Sequence, residues 1–447
     1  MAVAIGHRAP QSGAKGFPRG EGKGAAAPVQ QTTIDIYTLV TIVLFTFFPR
    51  NDKITWLKGG AGLSEFIREL KSFFRKGDMV LLVLCLVTSA FGCLVNASAN
   101  NYRGFTRYVV IQAAAIVLGI LAYAIVSAID AEFFHEHRTW FVFINLFLLA
   151  LLIPFGIDYN TGNYSWLDFS FLPFNIMPAE ICKILFILIM ASVMGSHQNR
   201  LNSIPSVFHM VFHLGLICVA NFLVSSDLGV TLIFAFIFVG MAIGGGIKWP
   251  WWLTGMGIIG LGGGAFWNGF MSEEQKNRIL YVFMPEKIDP SGLDEGWHTT
   301  QSLKSLMGGG LTGQGLFNGN RTQVGALNAQ HTDFVFSAIG EELGYLGCLL
   351  VMVLLFSIVA RCFWIGTRSP DYMRRMICFG AGSSLLFQIV LNIGMCIGVT
   401  PVIGLTLPLI SYGGSSIVTT YAMLGLVSGV CARPSKRSHE RYVLPPR

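Results

Sequence analysis

Apolar runs about twenty residues long, separated by short polar segments, repeat along this chain from Asp78 nearly to its end. Such a run covers the roughly 30 Å hydrocarbon layer of a bilayer as an α-helix rising about 1.5 Å per residue, so the pattern predicts membrane-spanning helices. Ten spans are expected, at 78–98, 108–128, 138–156, 178–195, 205–224, 228–246, 250–268, 332–360, 376–398 and 410–431. The fold class is therefore an all-α polytopic membrane protein of ten transmembrane helices, with one large loop, 269–331, between spans seven and eight. The run from Ile34 to Phe48 is too short for a span and has basic residues on both sides, which favours an interfacial or re-entrant helix. Residues 1–32, rich in Gly, Ala, Pro and Gln, are expected to be a disordered tail. The chain then divides into that tail, a basic extension at 33–77, a membrane domain at 78–432 and a basic tail at 433–447.

Composition supports this division: 53% of residues are hydrophobic, 12% are charged and 35 are Phe, with a mean hydropathy of +0.59. A soluble globular protein is excluded. The net charge of +7 comes from Lys and Arg in short loops and tails, which is a signal of topology and not of nucleic-acid binding. Placing segment 50–77 in the cytoplasm also puts Arg138, Arg200, Lys248, Arg361, Arg368, Arg374, Arg375 and the 433–447 tail there. Both termini are then cytoplasmic and the long loop lies outside. Among the short outer loops only the one with Arg103 and Arg107 breaks the positive-inside rule. The nine cysteines lie in or beside apolar runs without a CxxC pair and read as small core residues. The long loop carries Trp297, several Leu and a glycine cluster, so an ordered cap on the bundle is expected.

Candidate chemistry gathers at the outer end. Asp333 sits where the long loop enters the eighth span, and charges at such depth are functional suspects. The structural alternative is a helix-start acid favoured by the macrodipole, with His331 and Thr332 as capping neighbours. On a continuous helix its face would continue through Ser337, Gly340, Gly344 and Gly347, leaving Glu341 and Glu342 elsewhere. Glu180 and Lys183 are three apart, close enough for a structural ion pair or for a buried cation offered to phosphate. Asp227 opens the sixth span, as an N-terminal acid or a substrate contact. His209 and His213 have ligand spacing, but Met210 stands where a metalloprotease glutamate would be. The glycines from Gly308 to Gly315 lack the Gly-Lys-Ser/Thr ending of a nucleotide loop. The polar interruption Leu405 to Ser416, with Tyr412, Ser415 and Ser416, predicts backbone that lines a cavity.

An outward acid has no access to cytoplasmic nucleotide donors. A synthetic reaction there needs a donor already activated in the membrane, such as a polyprenyl pyrophosphate-linked sugar. One carboxylate would serve as general base, with a cation or a divalent metal such as Mg or Mn on the leaving group. No protein-only metal ligand set is visible in the sequence.

Two long motifs in order, His331-Thr332-Asp333-Phe334 with Glu341-Glu342-Leu343-Gly344, then Gly404-Leu405 to Ser416, closely resemble the SEDS family of RodA, FtsW and SpoVE. Supporting matches are Gln112, Pro178-Ala179-Glu180 with Lys183, Asp227-Leu228-Gly229, Asp289-Pro290, Gln301-Ser302 and Gly309 to Gly315. The resemblance implies a peptidoglycan glycosyltransferase that polymerises lipid II at the outer face of the bacterial cytoplasmic membrane. It implies a class B penicillin-binding transpeptidase as partner, Asp333 as the catalytic residue, and Glu180 with Lys183 as a functional pair. Arg278, Gln301, Ser302, His331, Thr332, Asp227, Tyr412, Ser415 and Ser416 complete the expected substrate site. The chain departs from the family at Ser165-Trp166, where an Arg-Trp pair is usual, at Gly296-Trp297-His298 and at Leu327-Asn328. The rival class is a flippase for a polyprenyl-pyrophosphate-linked precursor, which would place polar groups through both leaflets.

Overall fold

The computed structural model describes residues 77–157, 164–168, 175–292 and 294–432. The expected tail at 1–32, the short helix at 34–48 and the basic tail at 433–447 lie outside them. The described chain is mostly helical. In order it forms α1 (Met79–Ala99), α2 (Thr106–Ala128), α3 (Ala131–Glu136), α4 (Arg138–Ala150) and α5 (Leu152–Phe155). A two-residue antiparallel pairing, β1 (Gly156–Ile157) with β2 (Trp166–Leu167), leads to α6 (Pro178–Ser196), α7 (Ile204–Ser225), α8 (Leu228–Gly245) and α9 (Trp249–Gly269). The cap contributes α10 (Glu273–Phe283), α11 (Pro285–Ile288) and α12 (Trp297–Gly309), followed by α13 (Val335–Arg368), α14 (Tyr372–Cys396) and α15 (Gly414–Ala432).

Nine of the expected spans correspond to described helices, or a helix pair for α4 and α5, long and apolar enough to cross a membrane. The tenth, at 250–268, does form a 21-residue helix, α9, but Trp and Gly dominate it, so its mean hydropathy falls short of the others. None of its residues is buried. α6 lies at the opposite extreme. Its sequence is apolar on every face, and most of it is buried against α4, α7, α8 and α14. Several helix starts are fixed locally by side-chain caps: Asp78 Oδ1 accepts from the Leu81 N–H at 2.8 Å, Asp371 from Arg374 at 3.0 Å, and Ser272 with Gln275 closes a capping box on α10.

Close packing of α2 on α15 uses small residues. A Cβ placed on Gly425 would lie 2.6 Å from the Tyr123 carbonyl oxygen, and one on Gly119 would lie 2.8 Å from the Tyr421 ring. At the end of the bundle away from the cap, Arg361 grips Asp78 at 2.8 Å and Arg374 grips Asp130 at 2.9 Å.

The expected span 332–360 is corrected in two respects. The helix starts at Val335, so Asp333 precedes it and does not share a helical face with Ser337. It also breaks at Gly344, whose φ of 67° is one that L side chains rarely adopt. Cap residues 310–315 lie in this break. Gln314 and Gly315 donate to the Glu341 and Glu342 carbonyls at 3.0 and 2.9 Å, while Tyr345 and Leu346 donate to Gly310 and Leu311 at 3.0 and 3.2 Å. The loop thus completes the hydrogen bonds that the helix gives up. The expected cap is ordered, though its packing is narrower than the sequence suggested. Trp297 and Leu306 meet the core, whereas Leu311 remains exposed.

Gly425→Ala is expected to cost about 1–3 kcal/mol through overpacking, seen as a lower unfolding temperature in detergent. Gly260→Ala on α9, where a Cβ meets nothing within 4 Å, is expected to leave that temperature unchanged.

Candidate active site

Asp333 is fixed through its backbone. Its N–H donates to the Ala329 carbonyl at 3.1 Å, and its own carbonyl accepts from Asn392 Nδ2 of α14 at 2.8 Å. Asn392 also donates to the Leu405 carbonyl, so one amide ties the Asp333 turn to the polar segment 405–412. Two more bonds close the same seam. Ser411 Oγ donates to the Thr332 carbonyl, and the Tyr412 N–H donates to the His331 carbonyl at 2.8 Å. The irregular segment expected between Leu405 and Ser416 is therefore locked to the loop that presents the acid. Gly404 faces the carboxylate, with Oδ2 3.7 Å from the position a Cβ there would take.

Asp333 is half-buried, and the surrounding protein pushes its carboxyl up to about 6. Removal from water is the main cause. The hydroxyl of Thr332 opposes it, and the negative charge of Asp227 adds to it. Asp227 caps α8, accepting from the Val230 N–H at 3.0 Å, and receives Ser165 Oγ at 3.4 Å. Its own carboxyl is raised by burial, against the backbone N–H groups of Val230 and Gly229, Ser165 and the Lys183 charge. The position where the family pattern has an Arg thus carries a hydroxyl that holds the second acid.

Lys183 Nζ meets Glu180 Oε1 at 2.8 Å in a buried pair, and Thr419 of α15 donates to the other Glu180 oxygen at 3.2 Å. Lys183, Asp227 and Asp333 form an electrostatic chain in which each influences the next. Ser415 accepts from the Met177 N–H at 3.3 Å at the start of α6, and Ser416 lies 3.4 Å from Thr406. His331 and Tyr412 pack edge to face with Tyr108, at 5.7 and 5.2 Å between centroids. Burial first, then Arg103, lowers the His331 imidazole to about 4, so it is neutral at pH 7.

Three expected contacts lie elsewhere. Ser302 is fully buried between α12, α13 and α14, donating to the Cys396 carbonyl at 2.6 Å. Gln301 accepts from Arg321 within the cap. Arg278 faces Glu295 at 3.6 Å beside a small cavity lined by Tyr281, Thr299 and Pro401. Glu341 and Glu342 also stay apart from Asp333. Glu341 accepts from the backbone of Arg321 and Thr322, and Glu342 from Ser98 and Gln323, so both clamp the cap. Asn392, Thr419, Ser165 and Tyr108 were not anticipated. Asn392 and Thr419, as polar groups inside apolar spans, carried the available signal. Among the described residues no group of three or more His, Cys, Asp or Glu could hold a metal ion. His209 instead hydrogen-bonds to His197 at 3.1 Å and His213 at 3.2 Å.

The model of the FtsW, RodA and SpoVE cell cycle protein family matches residues 77–436, and the chain belongs to that family. Among its relatives is the peptidoglycan glycosyltransferase MrdB of Escherichia coli K12, 29% identical over 358 residues that cover 79% of this chain and 92% of the relative. The probable peptidoglycan glycosyltransferase FtsW of Trichlorobacter lovleyi is 28% identical over 363 residues, covering 79% and 93%. Among solved structures, a chain of a peptidoglycan synthase complex that coordinates polymerization and crosslinking superposes with a TM-score of 0.67 at 26% identity, covering 82% of this chain and 99% of that one. The rod shape determining protein RodA of Thermus thermophilus gives a TM-score of 0.57 at 25% identity, covering 82% and 98%.

Lys183→Met, which leaves Glu180 buried and unpaired, is expected to destabilise the protein by about 3–5 kcal/mol. The Glu180→Gln/Lys183→Met double variant is expected to recover much of that loss in thermal unfolding. If the pair also serves the reaction, the double variant stays inactive despite its restored stability.

Proposed function

We propose that the protein is a peptidoglycan glycosyltransferase that polymerises lipid II, with the cap and Asp333 on the outer face of the cytoplasmic membrane. The observation that carries this reading is the Asp333 carboxylate, held by backbone bonds beside a second acid and a buried lysine. The family and its glycosyltransferase relatives support the reaction class. The basic groups Arg138, Lys248, Arg361, Arg368, Arg374 and Arg375 at the far end of the bundle support the orientation. The tenth span is α9, which has the length to cross although it is less apolar than the rest.

In the proposed step, Asp333 accepts the proton of an acceptor sugar hydroxyl as that oxygen bonds to the anomeric carbon of the donor. The bond from that carbon to the diphosphate oxygen breaks, the configuration inverts, and undecaprenyl diphosphate leaves with the bonding electrons. Lys183, held by Glu180, faces the departing negative charge. Tyr412, Ser415, Ser416, His331 and Thr332 line the approach to the carboxylate. Arg278, expected near the diphosphate, faces Glu295 at 3.6 Å beside a small cavity and is assigned no role in this step. A class B penicillin-binding transpeptidase is the proposed partner, supported by the similarity to a chain of a synthase complex.

Purified protein with its transpeptidase, supplied with lipid II, is expected to form glycan polymer, and Asp333→Asn is expected to lower the rate by about 100-fold or more. Equal polymer from both would overturn the catalytic assignment, and lipid II translocation without polymer would favour the flippase.

A working base must be deprotonated, so the wild-type rate is expected to fall as pH drops through about 6. Asp227→Asn keeps the helix cap but removes a charge that raises Asp333, and is expected to move this acid limb to lower pH.

A further inference from the structure

Arg103 and Arg107 are the basic groups that break the expected charge asymmetry, and the structure places them at the cap end of the bundle. Both are exposed, and among the described residues neither pairs with a carboxylate. They are nonetheless held in position. The Arg103 guanidinium lies 5.0 Å from the centroid of the Tyr102 ring, which packs onto Gly325 of the cap. Arg107 stands in the first turn of α2, a helix start without a side-chain cap, so its free backbone N–H groups add positive potential.

The neighbouring residue, Tyr108, is part of the aromatic group with His331 and Tyr412, whose own rings lie 5.8 Å apart. His331 Nδ1 in that group is buried and has no hydrogen-bond partner among the described residues. Two cations, an uncapped helix start and aromatic faces thus gather around His331 and Tyr412, and His331 is two residues before Asp333 in the chain. Arg103 acts on His331 and Arg107 on Tyr412, while neither is among the charges that set the Asp333 carboxyl. They act on neighbours of the acid and not on the acid itself. Lys183 differs, because it acts directly on Asp227 beside the carboxylate.

This difference matters for a reaction that joins two lipid-linked substrates. One diphosphate leaves from the reacting carbon, so its cation must stand beside the base. The other stays on the acceptor, a disaccharide's length from the reacting hydroxyl. We propose that Arg103 and Arg107, with Tyr108, His331 and Tyr412, form a second anion subsite that holds the retained diphosphate of the acceptor lipid. The inference rests on the glycosyltransferase reading and adds to it the side of Asp333 on which the acceptor binds.

The test uses the full chain with its transpeptidase in nanodiscs of zwitterionic lipid. Arg103→Gln/Arg107→Gln is expected to raise KM for lipid II about tenfold or more with kcat changed by less than about threefold, and Arg103→Lys/Arg107→Lys is expected to recover part of the loss. Binding is read separately in the Asp333→Asn background with farnesyl diphosphate as the probe. Removing the two arginines is expected to weaken that binding about tenfold or more, and adding phosphatidylglycerol to the nanodisc is expected to leave wild-type binding unchanged. Phosphatidylglycerol that displaces the probe would instead mark the arginines as anchors for phospholipid headgroups and overturn the proposal. Polymer formed by the Gln variant with an unchanged KM would also overturn it, while leaving the glycosyltransferase reading intact. Absence of polymer from the wild type would overturn that reading and the acceptor assignment together.

Discussion

Backbone polar groups inside an apolar bundle must find partners within the protein, because lipid offers none. That constraint governs this structure at two places. At Gly344 the eighth predicted span breaks, and cap residues 310–315 supply the missing hydrogen bonds. At Asp333 the chain is again irregular, and segment 405–412 with Asn392 supplies them. The two seams hold the start of α13 from both sides, so the acid it presents has a fixed position without belonging to a helix.

Fixing the backbone leaves the side chain free for chemistry. Asp333 uses its N–H and carbonyl for structure while its carboxylate faces Gly404, where a larger residue would crowd it. Glu341 and Glu342, which follow in the same motif, are wholly occupied with the cap. Three acids close in sequence therefore divide into one whose carboxylate meets Thr332 and the charge of Asp227 and two that fasten the cap. Burial and the charge of Asp227 raise the Asp333 carboxyl toward the range in which a base works near neutrality. Lys183 opposes the burial that raises the neighbouring Asp227 carboxyl.

Much of this was legible in the chain. Nine spans followed from apolar run length, Asp333 from its position at the mouth of a span, and the Glu180 and Lys183 pair from their spacing. The proximity of Asp227 to Asp333 was not legible, since it depends on how α8 packs beside the 403–404 backbone. Nor was the break in α13. A glycine in an apolar run reads as a tolerated helix residue, and only the inserted loop shows why Gly344 is needed. Nor was the place of Ser302, whose hydroxyl donates to the buried Cys396 carbonyl of a neighbouring helix.

Burial in this fold holds the Asp333 carboxyl up at about 6, between its two protonation states near neutral pH. The most direct measurement is an NMR titration of the protein labelled with carbon-13 at aspartate side-chain carboxyls, with Asp333→Asn identifying the signal. A resonance missing from that variant is expected to titrate at about 6 in the wild type. An Asp333 signal that titrates in the ordinary carboxylate range, around 4, would contradict it.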